Sequence, residues 1–536
     1  VDAPRPLSGW LLGAALAALL VPLWAFPYFP SQDGPTHVEN ARILLDHGRP
    51  DQPALRDFYE RSAEPVPNWF SHVILSALLT IVEPRSADKI LLSLYVLFLP
   101  LSFLYAVLAF RPRGSASVLL VLPFVYNHFL HLGFYNLVFS AVPFFLVLGY
   151  WLRRRSRLGL REASILALLL LWLYFCHVIG LVMTLAGLAV LTAIDAVRRR
   201  GDEPAGAARL AMATAVAAFP ALALFVRFLR TRGEVVSEPG PTFSERLVDL
   251  VRLSELVSFD AREAWIATAL SVGLLAGALV LLADKARRRD WTRGDVLLGV
   301  VAAAGVVYFT ARVTVLRTPG SSAGGGTTHD RVSLFFFLSL TLWLAVQPLG
   351  RRAERVLVGL AVAATLGLLA LRLPRHAEIN DYLAEYVSTG ATLPRDAVLL
   401  PLAFAPEGLR PDGTPLSLRV LPFLHAASWI AAERGVVDLA NYEADLGYFP
   451  VRFRPEANPY RILRTGLESR PPCVSLNRYD RLGPRPLEYI LLWSARDADR
   501  SHPCAQAVFR HLEERYTRVF TSAPRGLAEL YRRRIP

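Results

Sequence analysis

The chain carries apolar runs of about 18–22 residues, one after another, from about residue 8 to about residue 373. Wound as an α-helix at ~1.5 Å per residue, a run of that length covers the ~30 Å hydrocarbon core of a bilayer. Within a bilayer the backbone amides must be satisfied internally, so uninterrupted apolar runs of this size read as spanning helices. That excludes a soluble multidomain enzyme, a disordered chain and a receptor with a single span. Charge content agrees: 19% of the 536 residues are charged, against roughly 25% in an ordinary globular protein.

The formal net charge of +13 raises the question of a nucleic-acid partner. Its distribution answers otherwise. Only Lys89 and Lys285 are lysines, and many arginines sit in short clusters between apolar runs: Arg111/Arg113, Arg153–Arg155 with Arg157 and Arg161, Arg198–Arg200, Lys285 with Arg287–Arg289, and Arg351/Arg352/Arg355. No basic stripe is interleaved with aromatic residues, so no nucleic acid is expected as a partner. Clusters of this kind mark cytoplasmic loops. Keeping all five in the cytoplasm requires an even number of crossings between neighbours. The pairs at about 115–131 and 136–152, 162–178 and 181–197, 208–229 and 265–283, and 295–316 and 332–349 supply them. A first helix leaves the cytoplasm at about residue 8, one at about 88–110 returns, and one at about 356–373 leads out.

Trp69–Val82 is apolar but only about 14 residues long, the length of an interfacial or re-entrant segment. Counting it as a crossing would turn every basic cluster outward. The expected fold is therefore a polytopic α-helical membrane protein with about 11 transmembrane helices and a C-terminal soluble α/β domain. The arginine bias fits a GC-rich bacterial gene. The expected location is accordingly the bacterial cytoplasmic (inner) membrane, multi-pass, with the N-terminus cytoplasmic and the C-terminal domain periplasmic or extracellular. Leu11–Phe29 is followed by no small-residue cleavage signature and reads as a retained helix.

From about Pro374 the apolar runs shrink to strand or short-helix length, as in Ala397–Phe404, Leu416–Leu424 and Tyr489–Trp493, with a helical stretch at Ala505–Tyr516. The division expected is a transmembrane domain over 1–373, with an outer loop at 30–87, and an extracytoplasmic α/β domain over 374–536. Cys176 lies in an apolar run and reads as a buried hydrophobe. Cys473 and Cys504 lie in the polar part; in an oxidising compartment they are expected to pair, closing a loop of about 30 residues for about 3–4 kcal/mol of stability. No cysteine spacing resembles a zinc site.

The polar residues that topology leaves unexplained lie in the outward loops. After the first run comes Phe29-Pro30-Ser31-Gln32-Asp33-Gly34-Pro35-Thr36-His37-Val38-Glu39-Asn40-Ala41-Arg42, a carboxylate just outside a span followed by a polar helix. On its own, Asp33 reads as the cap of that helix with Pro35 in its first turn. An Asp at the outer end of the first helix, followed by a polar helix, a Pro-led juxtamembrane helix (Pro67-Asn68-Trp69-Phe70-Ser71-His72) and a span with a basic start (Arg85-Ser86-Ala87-Asp88-Lys89), resembles the GT-C superfamily of membrane glycosyltransferases. That group includes protein O-mannosyltransferases and the lipid A aminoarabinose transferase. The resemblance covers roughly residues 8–200. It departs from the family where the usual Asp-Glu pair is replaced by Asp33-Gly34, with Glu39 as the available second carboxylate.

The resemblance implies a glycosyltransferase that moves a sugar from a polyprenyl-phosphate carrier to an acceptor hydroxyl at the outer membrane face. Its partners would be that lipid-linked donor, membrane lipids and an acceptor of unknown type, whether lipid, glycan or protein. Asp33 matches the position of the catalytic base. The leaving phosphate needs cationic or donor groups, for which Arg317, His329 and Arg331 in a Gly-rich outward loop are candidates. Asn127, His128 and His131 join two spans, and His177 lies at a tight hairpin; with His37 and Glu39 these complete the candidate substrate-binding set. No cofactor is required, although a divalent metal held by His37, His128, His131 and His177 is conceivable. Two alternatives stand beside the enzyme: a transporter or lipid flippase, and a catalytically silent GT-C-like assembly platform. A cavity opening outward onto Asp33 favours the enzyme, a two-sided pathway transport, and a plugged cavity the platform.

Overall fold

The computed structural model describes residues 9–112, 114, 116–199, 204–231, 234–238, 240–311, 313–317, 328–464 and 466–534. Among them, eight helices are long and apolar enough to cross a membrane: Pro84–Val107, Tyr135–Arg157, Val178–Arg199, Ala205–Thr231, Glu263–Arg288, Arg293–Thr310, His329–Val346 and Arg351–Thr392. Gly9–Trp24 and Leu160–Cys176 are also apolar but have 16 and 17 residues.

The expected helix at about 115–131 is not there. Its apolar stretch forms a 3₁₀ segment, Ala116–Phe124, with every residue from Ser117 onward buried, and a separate short turn of helix, His128–His131. Pro123 lacks the amide that an α-helix would use and clashes with the turn before it, and the segment packs against Arg351–Ser388 and Thr328–Val346. Hydropathy registers burial without saying whether lipid or protein does the burying, so a packed core segment mimics a crossing. Among the described residues there are therefore eight long spans, and a count of about 11 is not reached. Trp69–Val82 yields only the nine-residue helix Phe70–Leu78, too short to cross the hydrocarbon core.

The basic clusters gather at one end of the bundle. Arg111 donates to the Ala345 carbonyl, Ser117 to Glu354, and Arg155 lies 3.7 Å from Asp195. Lys285 pairs with Asp295 at 3.0 Å, and Trp343 donates to the same carboxylate. Nearer the opposite end, Arg372 and Glu263 form a buried ion pair at 2.9 Å. Glu263 also accepts from the amides of Ser258, Phe259 and Asp260, and Arg372 donates to the Tyr126 and Leu256 carbonyls.

The last long helix continues from Arg351 through Pro374 to Ser388, so the change in composition falls within one element. Beyond it lies a five-stranded mixed sheet in the order Val437–Asp438, Val398–Ala403, Tyr489–Trp493, Ala528–Arg533, Tyr516–Thr521. The first three strands run parallel and the last two pair antiparallel. Leu400, Leu402, Ile490 and Leu492 face one core, while Leu399, Leu491 and Trp493 face the core shared with the helices. A sheet covered on both faces explains the unbroken apolar strands, Val398–Ala403 and Tyr489–Trp493. Glu385, at the end of the long helix, pegs the sheet in place. It accepts from Ser522 and from the amides of Arg525 and Leu527, and pairs with the Arg525 side chain. Cys473 and Cys504 form a disulfide with Cα atoms 5.4 Å apart, and Cys176 is free and buried.

Candidate active site

Asp33 precedes the loop helix Gly34–Asp46, whose second residue is Pro35. Proline suits the first turn because its missing amide would have had no partner there. The Asp33 side chain makes no cap hydrogen bond; its backbone carbonyl instead accepts from Thr36. The carboxylate is thereby left for other work. Backbone pairing fixes its place, since Gln32 and Asp33 donate to the carbonyls of His131 and Leu132.

Two glycines permit this close approach. A β-carbon at Gly34 would fall 2.1 Å from the Tyr135 hydroxyl and 2.2 Å from Ser31 Oγ. Gly133, at φ +83°, would place one 2.3 Å from the Gly34 amide. Glycine at position 34 thus has a steric cause: no side chain fits there. Gly34→Ala is expected to cost about 1–3 kcal/mol by overpacking and to displace Asp33. Thermal denaturation checks it, and an unchanged melting temperature would contradict the packing described.

Asp33 opens onto a cavity of about 200 Å³ that His37, His177, Arg331 and Tyr442 also line. Phe134, Tyr448 and Phe449 supply aromatic wall, and Asn68 and Asn136 amide groups. Arg331 lies in the first turn of Thr328–Val346, with its guanidinium carbon 4.6 Å from the Phe134 ring centre. A cation at a helix N-terminus opposes the helix dipole, so helix stability does not account for it. Its buried Nε has no hydrogen-bond partner among the described residues.

Burial pushes the Asp33 carboxyl up to about 7, against hydrogen bonds from Gln32 and Tyr442 that favour the ionised form. Gln32 Nε2 donates to Oδ1 at 3.0 Å, and the Gln32 carbonyl oxygen accepts from the Leu421 amide. His425 stacks on Tyr442, and its Nε2 lies 3.6 Å from the same Oδ1, too far for a hydrogen bond. Burial holds His425 down at about 3, so it is neutral.

Behind the cavity wall the loop helix meets the C-terminal part. His37 and Asn40, three residues apart, share a helix face. Both reach Glu443: His37 Nδ1 at 2.9 Å, and Asn40 Nδ2 donating at 2.7 Å. His72 approaches the same carboxylate at 2.9 Å. Burial alone would raise Glu443, but the two imidazoles hold it well below the usual carboxylate range. Burial works against a charge on His37, yet Glu443 outweighs it and raises this imidazole; His72 is lowered, chiefly by burial.

The remaining candidates go elsewhere. Glu39 turns from the cavity toward Asp438, Ser428 and Asn441, and burial raises its carboxyl far above the usual range. It does not supply a second carboxylate at the cavity. Asn127 is a helix cap: its Oδ1 accepts from the Leu130 amide, and its Nδ2 donates to Tyr95 and the Phe124 carbonyl. His128 and His131 sit by Ser258 Oγ at 3.5 and 3.2 Å, with His131 stacked on Phe29. His329 pairs with Asp330 at 3.0 Å and does not line the cavity. Arg317 ends a strand paired with Glu234–Glu238, and its side chain lies outside the described residues. The conceivable metal set of His37, His128, His131 and His177 is not brought together: only His37 and His177 line the cavity, and His128 and His131 belong to the aromatic nest around Phe29 and Ser258.

No protein-family model matches the sequence, and no curated protein matches it. Among solved structures, that of a mutant of arabinofuranosyltransferase AftD from Mycobacteria aligns with 99% of this chain at a TM-score of 0.50 and 14% identity. The chain shares its fold with this arabinofuranosyltransferase. At that identity the likeness is one of architecture, and the chain spans 42% of the length of AftD. His72, Tyr442 and Glu443 were not legible as site residues. His72 stood in the juxtamembrane motif without any spacing to mark it, and nothing near Glu443 in sequence points to His37.

Proposed function

We propose that this chain is a glycosyltransferase of the outer membrane face, moving a sugar from a polyprenyl-phosphate carrier to an acceptor hydroxyl, with Asp33 as general base. The observation that carries the reading is a buried carboxylate, released from capping, that shares one cavity with an unpaired arginine nitrogen. A base must reach the acceptor proton, and its pKa serves best near the working pH. Arg331 would stabilise the departing phosphate, because a positive group already in place costs no reorganisation as charge develops. His177 and the aromatic wall would hold the sugar between them. All cavity residues come from helix ends and loops on one side of the bundle, as an acceptor arriving from that side requires. A pathway open to both sides, the mark of a transporter, is not what lines Asp33.

Contacts support the proposed topology. The first loop and the C-terminal part touch through Asn40 and Glu443, so both belong on one side, opposite the basic clusters; we place that side in the periplasm. A cytoplasm-dependent reporter fused after residue 536 should be inactive. The assay of function is transfer of labelled sugar from a polyprenyl-phosphate donor by protein in liposomes. Arabinofuranose is the first sugar to test, since the structural neighbour is an arabinofuranosyltransferase. No turnover with any such donor would reject the reading.

A pH profile adds an independent check. The base works only when deprotonated, so kcat/KM should fall about tenfold per pH unit below about 7 and level off above it, in line with the Asp33 carboxyl raised to about 7 by burial. A profile flat down to about pH 5 would remove Asp33 as the titrating base.

A further inference from the structure

His37, His72 and Glu443 meet at one point although three separate elements deliver them: the loop helix Gly34–Asp46, the juxtamembrane helix Phe70–Leu78 and the turn Tyr442–Asp445. His37 Nδ1 lies 2.9 Å from Glu443 Oε1, and His72 Nε2 lies 2.9 Å from Oε2. The two nitrogens are 3.4 Å apart. All three residues are buried.

The rings are fixed from behind. His37 Nε2 faces the Gly133 carbonyl at 2.9 Å, and His72 Nδ1 faces the Asn68 carbonyl at 3.0 Å. A carbonyl accepts only from an N–H, so each neutral ring commits its proton outward. Asn68 holds its carbonyl there from a left-handed conformation, φ +66°, which asparagine tolerates better than most residues. The inner nitrogens then present lone pairs to each other and to a carboxylate. That convergence calls for positive charge between them. Two nitrogens bound to one tetrahedral ion at about 2.0–2.1 Å stand about 3.3–3.4 Å apart, the separation seen. Backbone carbonyls behind ligating histidines are the usual device for setting their tautomer. The carboxylate is also oriented, by Asn40 Nδ2 at 2.7 Å on Oε2, with the Tyr442 hydroxyl 3.5 Å from Oε1.

We infer that His37, His72 and Glu443 bind a divalent cation of the zinc class. Two imidazoles with one carboxylate suit zinc, whereas magnesium and calcium take oxygen ligands. The ion clasps the first loop and the juxtamembrane helix to the C-terminal part, next to the turn that brings Tyr442 to the cavity. Its place is in assembly of the site; no step of sugar transfer is assigned to it.

The test uses full-length protein without a polyhistidine tag, stripped with chelator and titrated with zinc, and in parallel with magnesium and calcium. Wild type should retain one equivalent of zinc through gel filtration and gain several degrees in melting temperature, because an ion that binds only the folded state stabilises it; magnesium and calcium should do neither. His72→Ala and Glu443→Gln should weaken zinc binding by more than about 100-fold, at least the loss typical of outer-sphere changes. Zinc below about 0.1 equivalent with no thermal shift would overturn the site and leave a protonated imidazole–carboxylate cluster. Undiminished binding in both variants would overturn it as well. Should the variants fail to fold, stripped and refilled wild type still decides. Neither readout involves sugar transfer, so this inference and the proposed function fail separately.

Discussion

Asp33→Asn should fold normally and lose about 10²–10⁴-fold in turnover, the usual share of a general base. The change keeps the size of the side chain and removes only the proton acceptor. The Gln32 amide donates to Asp33 Oδ1 in the wild type, and the carbonyl oxygen of the substituted side chain can take the same bond. Since the native side chain makes no cap hydrogen bond, the helix start loses nothing. Burial raises the native carboxyl to about 7, so removing this acid also removes a proton that the folded state holds more tightly than the unfolded chain. Stability supplied by that proton is present below the ordinary carboxylate range and fades as pH rises through about 7. The variant should therefore show a flatter dependence of melting temperature on pH between about 4 and 7. Sugar transfer by equal amounts of reconstituted protein measures the first effect. Rates within about threefold of wild type would reject Asp33 as base.

The second large effect is expected at Arg331. Arg331→Met preserves much of the stem that packs on Phe134 and deletes the charge, and should lower turnover by about 10²–10³-fold, as removal of one preorganised donor to developing negative charge does. Arg331→Lys should recover part of the loss, because a point charge replaces the planar fork. A structural role would predict the reverse order of effects, with melting temperature falling and turnover per folded molecule preserved. Circular dichroism with the transfer assay separates the two.

What could be read in advance divides along physical lines. Basic clusters and apolar runs are local signals, and they led to a membrane bundle with its arginines gathered at one end. The run at 115–131 misled because Pro123 and complete burial turned an apolar stretch into packed 3₁₀ chain. Asp33, His37, His177 and Arg331, which line the cavity, could be singled out because polar groups at the ends of spans are few, and each needs a reason. Asn127 and Glu39 met the same criterion for other reasons, one as a cap and one as a carboxylate buried beside Asp438. Glu443 escaped because its meaning lies wholly in partners about 400 residues earlier, and one sequence without its fold holds no record of that meeting. Gly34 carried its information in what it lacks, which only the distance to Tyr135 makes visible.

The cavity joins segments far apart in the chain: Asp33 is made about 400 residues before Tyr442, Tyr448 and Phe449. On a ribosome adding about 5–20 residues per second, Asp33 emerges tens of seconds before this part of its wall. A half-made chain already threaded into the bilayer therefore displays the carboxylate without a chamber around it. The donor of the proposed function would find nothing to hold it on such a chain. On the proposed function, synthesis of the later segment, its delivery across the membrane and its docking on Glu385 would together license the chemistry, so truncated products would be idle without a separate inhibitor.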